Sequence, residues 1–363
     1  MKSGSTLTEV ATQVDHIRRS VRDFLAKPAH VSVAVSDGKP SFVLDDGAGA
    51  LSFGIRDHVH DQIADNTGIP QAYYRRMLTE APDLLAENAN AWLRRGESRR
   101  MVRTIRDESD QPVVRAVLSD RYRPLDSYQL LEAVLPLLQA RGIRIESCAL
   151  TEKKLYLKAI SERTTAEVKV GESVQAGLVV SNSEVGFGAV SIQPLVYTLR
   201  CTNGMIIEDS SMRRNHVGRK HGDGGSDDLQ HLLSDETRAA DDRAFFLRVR
   251  DVATAALDEA VFHRTVQRLR DAAGSPITSN ALDKVVEVTA KRFGLTQDEG
   301  NGVLAHLIRG GDLTQWGLCS AITRYSQDEE VSYDRATDLE RIGGRVVELG
   351  RQDWARLASP SAN

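Results

Sequence analysis

Long apolar runs are absent from this chain of 363 residues. No stretch approaches the ~20 consecutive apolar residues that span a bilayer as a helix. The N-terminal MKSGSTLTEVATQVDHIRRS holds no apolar signal-peptide core either, so a cytoplasmic protein without a membrane partner is expected. Cysteine is scarce. Cys148, Cys201 and Cys319 are far apart and in no metal-ligand spacing, so buried thiols are expected rather than disulfides or a zinc site. Excess positive charge is missing too. The 47 Lys and Arg stand against 51 Asp and Glu, a formal net charge of −4, which excludes coating nucleic acid by bulk charge and leaves only a local basic surface. Aromatic residues, at 5%, limit any scheme built on many stacked bases. What remains is the composition of an ordinary globular protein, long enough for two domains or one large core with appendages.

The hydrophobic pattern divides the chain in three. Residues 8–27 read as an amphipathic helix, with Val10, Val14, Ile17, Val21 and Phe24 at helical spacing. Strands follow at 31–35 and 41–44 around the turn at Asp37–Pro40, then helical pattern from Arg56 to Arg95 broken at Gly68 and Pro82. Further strands are expected at 101–105 and 113–118, a helix over about 127–140 with Asp126 or Ser127 as N-cap, and a hairpin from 143–150 and 155–160. Residues 208–228, EDSSMRRNHVGRKHGDGGSDD, have no hydrophobic period and read as a flexible basic, glycine-rich loop. Beyond it the pattern is almost wholly helical, with Phe245, Val249, Val252 and Ala256 as one buried stripe. The expected fold class is α+β: an N-terminal mixed β-sheet body with flanking helices over 1–207, the loop at 208–228, and a mainly α-helical region over 229–363.

The segment Gly177–Met205 is the densest in specific features. Two β-rich runs flank the polar cluster Asn182, Ser183, Glu184, Gly186 and Gly188, and the second run ends at the turn pair Asn203-Gly204. Its sequence SNSEVGFGAVSIQPLVYTLRCTNGM, with IADNTGIPQAYYRRM at 63–77 and the stretches 113–134 and 316–349, resembles the phage/plasmid-like protein family, classed as domain-of-unknown-function family 932. The resemblance covers roughly residues 40–350. It implies an accessory protein of a bacterial or phage mobile element, with relatives beside single-strand DNA-binding and anti-restriction genes, and no settled activity.

Four constellations bear on chemistry. Residues 94–126 carry Arg94, Arg95, Arg99, Arg100, Arg103, Arg106, Arg115, Arg121 and Arg123. Guanidinium groups bond phosphates in pairs, as a nucleic-acid backbone requires. Six acids in the same stretch allow the alternative of solvated ion pairs. The second basic stretch holds Arg213, Arg214, Arg219 and Lys220 on the glycine-flanked loop. His216 and His221 there have no cysteine or carboxylate to complete a metal site. The third, Gln62–Arg76, has the look of a helix-turn-helix in which Gln71, Tyr73 and Arg75 would open a recognition helix. Catalysis is the fourth, and no nucleophile–base pair, dinucleotide fingerprint or P-loop is present. Glu208, Asp209 and Asp223 read as solvated loop carboxylates, and Glu184 and Asn203 as turn caps.

The leading expectation is a single-stranded DNA-binding protein that promotes annealing or protects strands, with no cofactor, no metal and no catalytic residue. Its contacts would come from Arg94, Arg95, Arg99, Arg100, Arg103, Arg115, Arg121, Tyr122, Arg123, Arg200, Asn203, Arg213, Arg214, Arg219 and Lys220, with Tyr122 and Phe187 to stack on bases and a homo-oligomer to add avidity. The alternatives are an interaction factor acting on a host defence or replication protein, and a sequence-specific DNA binder through residues 60–77. An enzyme would need a carboxylate cluster assembled from distant residues.

Overall fold

The computed structural model describes residues 1–45, 49–208, 212–214 and 234–360. The α+β body and the helical C-terminal region expected from the pattern are both present. Helix α1 (Leu7–Ser20) starts with a capping box in which Thr6 and Glu9 satisfy each other's backbone N–H groups, and it buries Val10 and Val14. It stops at Ser20, short of the expected residue 27. Residues Arg22–Ala26 instead form strand β1, paired with Arg100–Thr104 of a strand eighty positions on. That pairing outweighs the helical spacing of Val21 and Phe24, a tertiary choice that local pattern does not contain.

Sheet 1 has the order β1-β5-β6-β4-β3-β2, where β2 is Val31–Ser36, β3 Lys39–Asp45, β4 Ala50–Ile55, β5 Arg100–Arg106 and β6 Pro112–Ser119. β4, which the apolar pattern does not announce, joins β6 by a short parallel pairing of Gly54 and Ile55 with Val113 and Val114. Helices α2 (Asp57–Thr67), α3 (Gln71–Glu80) and α4 (Pro82–Leu93) cover one face, separated where the sequence predicts: Gly68 takes the left-handed C-cap of α2, and Pro82 opens α4. Phe42, Phe53, Ile63, Tyr74, Leu85, Val102 and Val114 form the core between them. The edge of β2 is closed by Asn90 of α4, which accepts from Val33 N at 2.7 Å and donates to Val33 O at 2.8 Å.

Sheet 2 runs β11-β10-β9-β8-β7, with β12 beside β10; the strands are β7 Arg144–Leu150, β8 Leu155–Lys169, β9 Glu172–Asn182, β10 Val190–Thr198, β11 Gly204–Ile206 and β12 Met212–Arg214. α1, α5 (Ser127–Ala140) and α6 (Asp235–Ala256) pack on Leu157, Leu178, Val180 and Ile192. Phe245, Val249, Ala253 and Ala256 are the buried side of α6, with Val252 only half-buried. The remaining helices are α7 (Glu259–Ala273), α8 (Leu282–Phe293), α9 (Gln297–Gly310), α10 (Gln315–Tyr325), α11 (Tyr333–Val347) and α12 (Arg351–Ala358). They share one core with Val174, Val196 and Met205 of sheet 2, so the helical region and the sheet bury their apolar surface together. A fully buried ion pair, Lys158 Nζ to Glu340 Oε2 at 2.6 Å, ties β8 to α11.

The two sheets meet at the loop 183–188. Gln62 of α2 donates to Val185 O at 2.7 Å and accepts from Val117 N at 2.8 Å. Gly186 has φ 86°, and a Cβ there would lie 2.6 Å from Leu118 Cδ2. The turn thus needs glycine both for its backbone and for its closeness to β6.

Candidate nucleic-acid interface

Pairing brings one set of the arginines together. Arg100 opens β5 opposite Ala26 of β1 and Ser119 of β6, so the residues next to those three gather at one end of sheet 1. Lys27 leaves β1 there, Arg121 leaves β6, and Arg94, Arg95 and Arg99 lie on the connection from α4. A Cβ built on Gly96 would sit 3.5 Å from Pro28 Cγ, which places that connection against the end of β1. Lys27, Arg94, Arg95, Arg99 and Arg121 are exposed and Arg100 is half-buried. Among the described residues Glu97 and Asp120 are the acids of this rim, with Asp120 Oδ2 4.0 Å from Arg99 Nε. Among the described residues cations outnumber carboxylates there, so the rim is a local basic surface on an acidic chain.

Trp92 lies at the same place. Leu85, Ala89 and Leu93 form the inward stripe of α4, and Trp92 falls beside that stripe, 48% exposed. The Arg95 guanidinium stands 5.1 Å from its ring centroid. An exposed indole with a guanidinium against its ring offers a stacking surface beside a positive charge.

A second set of the expected residues is turned inward, and its assignment to a phosphate-binding surface is corrected. Arg103 is 1% exposed; its guanidinium donates to Asp23 at 2.8 Å, Asp126 at 3.1 Å and Glu184 O at 3.1 Å. Arg115, 6% exposed, donates to the Glu184 carboxylate, whose other oxygen accepts from Ser127 N at 2.6 Å. Tyr122 is buried and donates to Ser183 O at 2.9 Å. Asn203 is buried against α10, donating to Thr323 Oγ1 at 2.5 Å. Buried and bonded in this way, these four side chains are not presented to a partner at the surface.

The electrostatics agree with a closed interior cluster. Burial pushes the Glu184 carboxyl up, but Arg115, the Ser127 N–H and Arg103 outweigh it and hold its pKa below the usual range. For Asp126 burial prevails over Arg103, and its pKa is raised. Burial raises the Tyr122 phenol well above its ordinary value, so it stays a neutral donor.

The other expected residues are dispersed. Arg123 pairs with Asp241 and Asp242 of α6 at 3.2 and 2.8 Å. Arg200 is exposed at the far tip of sheet 2, 3.5 Å from Glu172. Arg213 and Arg214 lie on β12 opposite Ser191 and Val190. Arg219 and Lys220, with His216, His221, Asp209 and Asp223, lie outside the described residues. Phe187 is half-buried between His58, at 5.5 Å edge-on, and Lys153 Nζ, 4.9 Å from its ring centroid. In the helix pair at 60–77, Arg75 is held by Asp57 and Asp61 and Gln71 by Asp65, while Gln71 and Tyr73 are both exposed. Among the described residues no group of three or more His, Cys, Asp or Glu is placed to hold a metal ion. Among them, too, no helix is long and apolar enough to cross a membrane.

The chain belongs to the family described as Domain of unknown function (DUF932), whose model matches residues 114–351. No curated protein and no solved structure matches it. The matched stretch begins inside β6 and ends at the first residue of α12. It therefore takes in Arg115, Tyr122 and Glu184 of the interior cluster and Arg121 of the rim, while Trp92 and Arg94–Arg100 precede it.

Proposed function

We propose that the protein binds single-stranded nucleic acid, DNA in the first instance, along the basic rim of sheet 1. The observation that carries this reading is the exposed Trp92 beside Arg95, set among Arg94, Arg99, Arg100, Arg121 and Lys27. In this reading the cations follow successive phosphates and a base stacks on the open part of the indole. Such contacts are sequence-tolerant, because every base has a π-face and every nucleotide a phosphate. The interior cluster then serves as scaffold, fixing sheet 1 against sheet 2 so that the rim keeps its shape. The protein would act in the cytoplasm as an accessory factor of a phage or plasmid, annealing or shielding single strands, with self-association adding avidity.

Tryptophan fluorescence tests the reading directly. Trp316 and Trp354 are buried, so Trp92 is the exposed indole of the three in the chain. Oligo(dT) is expected to quench Trp92 on binding. Trp92→Ala is expected to abolish the quench and to weaken binding by about 1–3 kcal/mol, roughly 5- to 150-fold. Oligo(dT) that binds the variant as tightly as the native protein would refute the assignment.

A further inference from the structure

The opposite end of sheet 1 holds a cavity with a different chemistry. β5 leaves the rim at Arg100 and ends at Arg106, beside a cleft of about 560 Å³ bounded by α1, the start of α2 and the β5–β6 and β7–β8 turns. That size suits a small molecule. Its walls are largely apolar, with Ile17, Ile105 and Leu150 among them.

His58 is the unusual polar group on the wall, 1% exposed. Its Nε2 lies 2.8 Å from Arg115 O. A carbonyl only accepts, so Nε2 carries the proton and Nδ1 of the neutral ring is an acceptor. Nδ1 is buried and has no hydrogen-bond partner. It faces Glu152 Oε2, a second acceptor, at 3.5 Å. Arg56 donates to the other oxygen, Oε1, at 3.0 Å and leaves Oε2 to the histidine. With the ring neutral, Nδ1 and Oε2 are two acceptors facing each other across 3.5 Å, in a place where an unsatisfied polar atom is costly.

Charge points the same way. Asp107, Glu108, Asp110 and Glu152 line the cleft, against Arg56, Arg106 and Arg115. Arg115 is paired with Glu184, Arg106 with Asp110 and Arg56 with Glu152, so Asp107 and Glu108 are the negative excess of the lining.

We propose that this cleft binds a small organic cation with an apolar body: an amidine, guanidine or amine. Its N–H groups donate to His58 Nδ1 and Glu152 Oε2, and its body lies along Ile17, Ile105 and Leu150. The cleft and the rim occupy opposite ends of β5, so this binding is independent of any nucleic acid.

Benzamidine, with the neutral isostere benzamide as control, is the probe for calorimetry or NMR titration on the full chain. Saturable binding of benzamidine is expected, weaker by about tenfold or more for benzamide and for Glu152→Gln, because a charge-assisted hydrogen bond is lost in each case. Glu152 is half-exposed, and the variant is expected to keep the native melting curve. No saturable binding at millimolar benzamidine, or equal binding of benzamide, would overturn the proposal. Equal binding to Glu152→Gln would overturn it as well.

Discussion

Glu184→Gln keeps the volume of a buried side chain and removes its charge. In the native protein the carboxylate accepts from Arg115 and from Ser127 N, and Arg103 donates to the backbone oxygen of the same residue. An amide oxygen still accepts from Ser127, but Arg115 becomes a buried cation without a counter-charge. Removing one member of a buried pair costs about 3–5 kcal/mol, and the surviving Ser127 bond places this substitution near ~3 kcal/mol. With a urea m-value of about 3 kcal/mol/M, the unfolding midpoint is expected to fall by about 1 M. Adding Arg115→Met removes the orphaned charge, so the double variant is expected to regain about 2 kcal/mol. The effect depends on pH with a definite sign. Because the native pKa of Glu184 is depressed, its stabilisation is complete above the unfolded value and is lost as pH falls through the native one. The gap between native protein and Glu184→Gln is therefore expected to narrow on acidification. A midpoint within about 0.2 M of the native one would refute the reasoning.

Two further outcomes follow from the interior. Gly186→Ala must both hold φ 86° and push Leu118 aside, so it is expected to lower stability by about 1–3 kcal/mol in a thermal melt, more than Gly38→Ala, where φ is 72° and the space is open. A native thiol titration is expected to show one fast group, Cys201, which is exposed; Cys148 and Cys319 are buried, burial raises both their pKa values, and they should react only on unfolding.

Much of the architecture was legible because it rests on local chemistry. The breaks at Gly68 and Pro82 and the extents of α5 and β10 follow from turn residues and apolar spacing within a few positions. β1 was not legible, since Val21 and Phe24 continue a helical period and only β5 decides otherwise. The arginines divide for a similar reason. Asp126, which draws Arg103 inward, belongs to the same 94–126 stretch, but its second partner Asp23 and the Arg115 partner Glu184 are far away in sequence, and β5 carries a register shift between Arg103 and Thr104. Trp92 did leave a signal. A tryptophan off the Leu85–Ala89–Leu93 stripe and immediately before an Arg-Arg pair is an apolar side chain that the core does not claim. Lys27 left none, because only strand pairing brings it to the arginines.

Binding of labelled oligo(dT) across a salt series tests the central claim most directly. If Lys27, Arg94, Arg99, Arg100 and Arg121 each neutralise a phosphate, log K should fall against log salt with a slope of about −3.5, roughly a hundredfold loss between ~50 and ~200 mM. The Arg99→Ala, Arg121→Ala double variant should flatten that slope to about −2. No binding at low salt, or a slope that the double variant leaves unchanged, would contradict a nucleic-acid interface at this rim.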